Sequence, residues 1–282
     1  MHPIVKPLLA LASLAGALGA APARAETFNT CAGFIDSLPA TISQQGVWCL
    51  NKNLSTAITS GAAITIATNN VTIDCNDFKI GGLAAGDSSV AIGIRAQNLQ
   101  NASVRHCGIR GFEYGILLSG GAGHLVEDNR LDNNLVRGIE VTGDNNRVRR
   151  NAVYDTGGQP GSVLSIGIIT SADVIDNTVA GVFADAANSS TFGIYMSASG
   201  SEARGNQVRG LAATGTGGAT GIRANASGIT LADNRVSQGA GANAKGLYGF
   251  AADTFCTGNT VIGFATAYDN CDYSFGNLPA AP

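Results

Sequence analysis

Residues 115–129 read GILLSGGAGHLVEDN, and Arg130-Leu131 follow. Residues 138–151 read GIEVTGDNNRVRRN, followed by Ala152-Val153. Both stretches begin Gly-Ile, and both close on V-x-x-N with an apolar residue two places beyond the Asn. The opening pair returns as Gly93-Ile94, Gly115-Ile116, Gly138-Ile139, Gly167-Ile168, Gly193-Ile194, Gly221-Ile222 and Gly246-Leu247, at spacings of 22, 23, 29, 26, 28 and 25. The closing frame returns at Asn129, Asn151, Asn177, Asn206, Asn234 and Asn259, with an apolar residue three places before each of the first five and Cys256 before the last. Ile73-x-x-Asn76 fits the same frame, and Val104-x-x-Cys107 fits it with Cys in the Asn slot. The two frames alternate from residue 73 to residue 261.

A period of roughly 20–30 residues marks a solenoid. Helical solenoids need long runs with apolar residues three and four apart. Here apolar residues alternate over only a few positions, as in Ile116/Leu118, Ile139/Val141 and Ile194/Met196, which is the period of a strand. Short strands joined by Gly and Asn turns give a β-helix whose coils stack about 4.8 Å apart. The Asn slot has two physical reasons. Asn tolerates the left-handed conformation that a one-residue corner requires. Pointing inward, its amide can bond the Asn of the coils above and below. The expected architecture is all-β: a parallel β-helix of about eight coils with a cap at each end.

This pattern, over about residues 62–265, resembles the right-handed parallel β-helix of the pectin-lyase-like superfamily, and within it exported bacterial repeat proteins. The resemblance implies a polysaccharide lying along the face of one parallel sheet. It brings no catalytic set with it. The Asn-Thr-Asp, Asp-Asp, Gly-His-Gly and Arg-Ile-Lys motifs of polygalacturonases are absent, as are the Trp-x-Asp-His and Arg-x-Pro-x-x-Arg patterns of pectate lyases.

Four segments are expected. Residues 1–25 read as a secretory signal, with basic Lys6, an apolar stretch from Leu8 to Ala20, and Ala23-Arg24-Ala25 at the cleavage point. Residues 26–61 form an N-terminal cap, 62–265 the β-helix, and 266–282 a C-terminal cap and tail. Removing the leader leaves 257 of the 282 residues, enough for one domain with a core. Two of the 17 basic residues lie in the leader, so 15 remain against 20 acidic ones. That balance argues against nucleic acid as a partner. No later run is long enough to span a membrane. The product is expected in the periplasm or outside the cell.

Six cysteines, Cys31, Cys49, Cys75, Cys107, Cys256 and Cys271, suit an oxidising compartment. They allow fifteen pairings. The preferred one joins Cys31 to Cys49 in the N-terminal cap, Cys75 to Cys107 on successive coils, and Cys256 to Cys271 at the far end. Phe34, Ile35, Leu38, Ile42 and Trp48 would cover the first coil. No Cys/His spacing suggests zinc and no acidic repeat suggests calcium, so neither metal nor cofactor is expected.

The outward residue of the first strand in each coil gives one vertical file: Arg95, Leu117, Glu140, Ile169, Tyr195, Arg223 and Tyr248. Tyr195 and Tyr248 are expected to stack on the apolar faces of sugar rings, with Arg223 between them expected to bond hydroxyls or a uronate. Arg95, Glu140, Tyr195, Arg223 and Tyr248 are therefore the candidate ligand-binding residues. The plain alternative is a file of exposed β-formers that stabilises the sheet. A dense charge cluster over residues 105–155 reads as ladders of alternating sign: Arg105, Glu127, Arg149 in one column and His106, Asp128, Arg150, Asp176 in the next. The two histidines beyond the leader, His106 and His124, limit the supply of general bases. Paired carboxylates for glycoside hydrolysis are Glu113 with Glu140, or Glu127 with Asp128. The expected function is binding, with or without processing, of a polysaccharide; the alternative is a non-catalytic structural or adhesive surface protein. A metal-handling accessory role fits less well, because histidine and methionine are scarce.

Overall fold

The computed structural model describes residues 31–241, 243–250 and 253–280. The expected leader, residues 1–25, lies outside them. Twenty-nine short strands follow one another with no α-helix among the described residues, and one 3-10 turn spans Leu83–Ala85. Each coil contributes three strand segments. The third segments build one ten-stranded parallel sheet, from Leu54–Ser55 through Val153 of Ala152–Thr156 to Leu278–Ala280. The first and second segments make up a nineteen-stranded sheet, and two long strands, Arg137–Arg149 and Leu164–Ile175, run through both positions.

Residues 62–265 hold eight coils, as the period predicts. The segments expected to serve only as caps carry strands in the same ladders. Ala40–Ile42 pairs in parallel with Ala62–Ile66, and Thr266–Asp269 with Lys245–Gly249. One further coil thus flanks the eight at either end. These coils escaped the repeat because neither opens on Gly-Ile, and the frame of the last one begins on polar Ser274.

The core is a set of files. Ile94, Ile116, Ile139, Ile168, Ile194, Ile222 and Leu247 are fully buried on consecutive rungs. The glycine before each has a steric reason. A Cβ on Gly193 would stand 2.3 Å from Val208 Cγ1 and 2.6 Å from the Gly221 carbonyl oxygen. The first strand therefore passes too close to its neighbours for any side chain.

The Asn slot forms a continuous amide ladder. Each Nδ2 donates to the Oδ1 of the next coil, from Asn129 to Asn151 at 2.9 Å through Asn177, Asn206, Asn234 and Asn259 to Asn277 at 3.0 Å. Each Oδ1 also accepts a backbone N–H, as Asn177 Oδ1 does from Asn151. Buried polar groups are thereby satisfied along the stack. The left-handed conformation lies one residue earlier than expected. His106, Asp128, Arg150, Asp176 and Asp233, with φ between 51° and 55°, make the corner, while the ladder Asn residues do not. Separating the tasks leaves the Asn side chain free to point inward. Asn76 is outside the ladder. Ile73 pairs with Val104 and Ile80 with Ile109, so two extra residues bulge at that corner and put Asn76 and Asp77 at positive φ. Asn76 donates instead to the Leu50 carbonyl at 2.9 Å.

The disulfides join Cys31 to Cys49, Cys75 to Cys107 and Cys256 to Cys271. Cys75 and Cys107 face each other across one rung, Cα to Cα 4.7 Å. Cys107 continues the ladder, its N–H donating to Asn129 Oδ1 at 3.0 Å. Three disulfides suit an oxidising environment. Among the described residues no helix is long and apolar enough to cross a membrane.

The segments that lead from the third strand of one coil to the first strand of the next, which differ in length from coil to coil, pile on one another. Ser189 Oγ donates to the Ser162 carbonyl, Thr216 N–H to Asn188 Oδ1, and Gln159 Nε2 reaches the Ser89 carbonyl. They lead into the first strand of each next coil, and the outward side of those first strands is the first sheet face.

Candidate functional site

Strand register fixes the file that the period suggests. Thr65, Arg95, Leu117, Glu140, Ile169, Tyr195, Arg223, Tyr248 and Asp269 are consecutive partners. Ile169 divides the file in two. On one side Arg223 lies directly between Tyr195 and Tyr248, its guanidinium carbon 5.4 Å and 5.2 Å from their ring centroids. Phe192 and Phe250 approach the same guanidinium at 5.5 Å and 5.1 Å. Phe192 meets Tyr195 edge to face, and Phe250 meets Tyr248 likewise. Cation–π attraction of this kind is worth roughly 0.5–2 kcal/mol per good contact, more as the cation loses water. Lys245 extends the group, with Nζ 3.8 Å from the Tyr248 centroid and 2.6 Å from Asp269 Oδ2.

Four aromatic rings hold the Arg223 charge, but none offers it a hydrogen-bond acceptor in its plane. Nε is buried with no partner, and among the described residues no carboxylate pairs with the group. A half-buried guanidinium in that condition has unused capacity for an oxygen ligand. Phe192 and Phe250 were not legible as members of the site. Phe192 precedes its Gly-Ile pair and Phe250 follows Tyr248 by two, so neither falls in the file itself.

The other half of the file is organised around Arg137, which the period did not single out. Arg137 Nη1 bonds Glu140 Oε2, and its guanidinium lies 4.8 Å from the Tyr114 centroid, on adjacent rungs. Burial pushes the Glu113 carboxyl up, partly offset by the positive charge of Arg137. Burial likewise pushes the Tyr114 hydroxyl up, and Arg137, Glu113 and Glu140 all act on it. The pair Glu113 and Glu140 therefore shares one arginine. Arg95 is two rungs from Glu140, beyond Leu117, so the structure does not bring Arg95 into contact with it.

The charge cluster forms ladders. Asp74 takes Arg105 Nε at 2.8 Å and faces His106 Nδ1 at 3.2 Å. Glu127 takes Arg149 and Arg150, each at 2.8 Å, and Asp128 takes Arg150 through two parallel bonds of 2.8 Å and 2.7 Å. The second acid pair, Glu127 with Asp128, is thus held by arginines. His124 has both ring nitrogens engaged. Nδ1 accepts from the Ala102 N–H at 3.2 Å, so the proton is on Nε2, which donates to the Gly120 carbonyl at 2.9 Å. This buried neutral tautomer is a structural part of the corner. No three His, Cys, Asp or Glu side chains among the described residues are grouped to hold a metal ion.

The right-handed beta helix region family model matches residues 49–208. Among solved structures, the A-module of mannuronan C-5 epimerase AlgE6 from Azotobacter vinelandii is 11% identical, with 90% of this chain and 92% of that one covered at a TM-score of 0.40. The Dettilon tailspike protein gp208 is 16% identical over 81% of this chain and 53% of its own, at a TM-score of 0.45. The Agl-KA catalytic domain is 11% identical over 86% and 58%, at 0.38. Likeness at this level carries no argument about function. No protein with a curated description matches the chain.

Proposed function

The chain belongs to the right-handed β-helix family, and we propose that it is an exported protein that binds a polysaccharide along the face of its first sheet. One observation carries this reading: Tyr195, Arg223 and Tyr248 stand on three successive rungs with an uncompensated guanidinium between the rings. The rings stand off a flat, rigid sheet and supply apolar surface for sugar C–H faces. The guanidinium supplies in-plane donors for a carboxylate or hydroxyls. A uronate-containing chain satisfies both. Glu140 and Arg95 are farther along the same face, where an extended ligand would pass them.

Four of the candidate acids and bases already have partners. His124 is committed to backbone bonds, Glu127 and Asp128 to arginines, and Glu140 to Arg137. The test is affinity electrophoresis in gels containing acidic or neutral polysaccharides. Retardation by an acidic polymer is expected, with loss of it in Tyr195→Ala, Tyr248→Ala and Arg223→Ala. Unchanged retardation in all three variants would remove the site. Incubation with the same acidic polymers, followed by ultraviolet absorbance, checks for unsaturated products of elimination.

A further inference from the structure

A second candidate site lies at the end of that face, at the corner between the first and second strand of each coil. Two concavities meet there. One, of about 420 Å³, is lined by residues 143–146, 171–173 and 198–201. The other, of about 370 Å³, is lined by residues 123–125, 145–147, 149 and 173. They share Asn145, Asn146 and Asp173, so they form one groove crossing four coils. Three rung spacings of about 4.8 Å give it a length near 14 Å.

Most of the lining is polar. Asp144, Asn145 and Ser199 present carboxylate, amide and hydroxyl groups, the Ser171 and Ser201 hydroxyls already bond Ser197 and the Ala198 carbonyl, and His124 and Leu125 are at one end. A peptide would find little apolar anchorage here. The charges largely cancel: Arg147 lies 3.7 Å from Asp173, and Arg149 bonds Glu127. Asp144 remains, which disfavours a polyanion.

Asn146 sits where the two concavities join and is only 5% exposed. Its Oδ1 accepts the His124 N–H at 2.8 Å, which turns the other end of the amide away from that bond. That end, Nδ2, is buried and has no partner. The ladder Asn residues, by contrast, use both ends of every amide. A buried donor without an acceptor is costly, and here it is in the wall of a hydroxyl-lined groove.

We infer that this corner groove is a binding site for a short neutral saccharide chain, whose hydroxyl groups bond the flanking serine, amide and Asp144 groups and take the Asn146 donor as that side chain turns toward the groove. The groove adjoins the end of the first sheet face, with Ser171 two residues after Ile169 in one strand, but none of its lining residues belongs to the Tyr195–Arg223–Tyr248 file. Its test is calorimetric titration with cellohexaose, maltohexaose, mannohexaose and chitohexaose. At least one is expected to bind, with Ser199→Trp, which fills the groove from an exposed position, weakening it at least tenfold and Asp144→Ala weakening it several-fold. Tyr248→Ala is expected to bind as the wild type does. Absence of binding by all four sugars, or equal binding by Ser199→Trp, would overturn the inference. Loss in Tyr248→Ala with retention in Ser199→Trp would also overturn it, while placing the sugar on the first sheet face. Loss of acidic-polymer retardation in the tyrosine variants with hexasaccharide binding intact would show two separate sites.

Discussion

Replacing Asn177 with alanine removes one rung of the buried amide ladder. Asn177 Nδ2 donates to Asn206 Oδ1 at 3.1 Å, to the Val148 carbonyl at 3.0 Å and to the Ile175 carbonyl at 3.1 Å. Its Oδ1 accepts from the backbone and side-chain nitrogens of Asn151 at 2.9 Å and 3.0 Å. Some of these partners are replaceable. Asn151 Nδ2 keeps the Val126 and Arg149 carbonyls, and Asn206 Oδ1 keeps the Asn177 backbone N–H. The backbone N–H of Asn151 loses its acceptor inside the core. One orphaned buried donor costs about 1–3 kcal/mol. The small void left by the amide adds to this, so the total loss is about 2–4 kcal/mol. Urea unfolding followed by far-ultraviolet circular dichroism measures it as a lower midpoint at unchanged slope. A double-mutant cycle with Asn151→Ala should show a combined loss smaller than the sum by about 1 kcal/mol, because the two side chains share a bond. A loss below about 0.5 kcal/mol for Asn177→Ala, in the range of an ordinary surface substitution, would refute the reasoning.

Gly193→Ala forces a methyl against the Gly221 carbonyl and Val208, so unfolding experiments should show a destabilisation of about 1–3 kcal/mol from overpacking. Asp128→Asn keeps a residue that tolerates the left-handed corner but removes the charge. The hydrogen bond from Arg150 holds the Asp128 carboxyl below its ordinary value of 3.8. A depressed carboxylate stabilises the fold above that ordinary value, and the contribution disappears as the pH falls through the folded value. The gap between wild type and Asp128→Asn should therefore be at most about 1 kcal/mol at pH 7 for so exposed a pair, and should close in acid. A gap that widens in acid would contradict the assignment.

The sequence carries the fold because each coil repeats the same two constraints, a glycine where strands come too close for a Cβ and an amide that must find its neighbour. The repeat is weaker where the constraint changes. Cys75 and Cys107 substitute a covalent rung for an amide one, and the extra residues before Ile80 shift Asn76 out of line. Asp128 and Arg150 take the corner that a count of Asn residues assigns to Asn129 and Asn151, because backbone conformation and side-chain direction are separate demands. The file from Arg95 to Tyr248 follows directly from the strand period. The enclosure of Arg223 does not, since Phe192 and Phe250 reach it from positions outside the file. Arg137 is hidden for the same reason: it lies outside the file, three residues before Glu140 in the same strand, and reaches Glu140 along that strand. The unpaired amide of Asn146 has no signal in the sequence, because its status depends on what the next coil fails to provide.

Every site described depends on coils that advance by one strand spacing each. Lys79 and Thr260 occupy the same file of the ten-stranded sheet, seven rungs apart by strand pairing. Spin labels on a Lys79→Cys, Thr260→Cys variant, with the three disulfides intact, report the separation by pulsed electron resonance. Seven spacings of about 4.8 Å predict a narrow distribution centred near 34 Å, widened by a few ångströms of label linker. A centre below about 25 Å, or a broad distribution without a maximum, would contradict the stacking and with it both ligand sites.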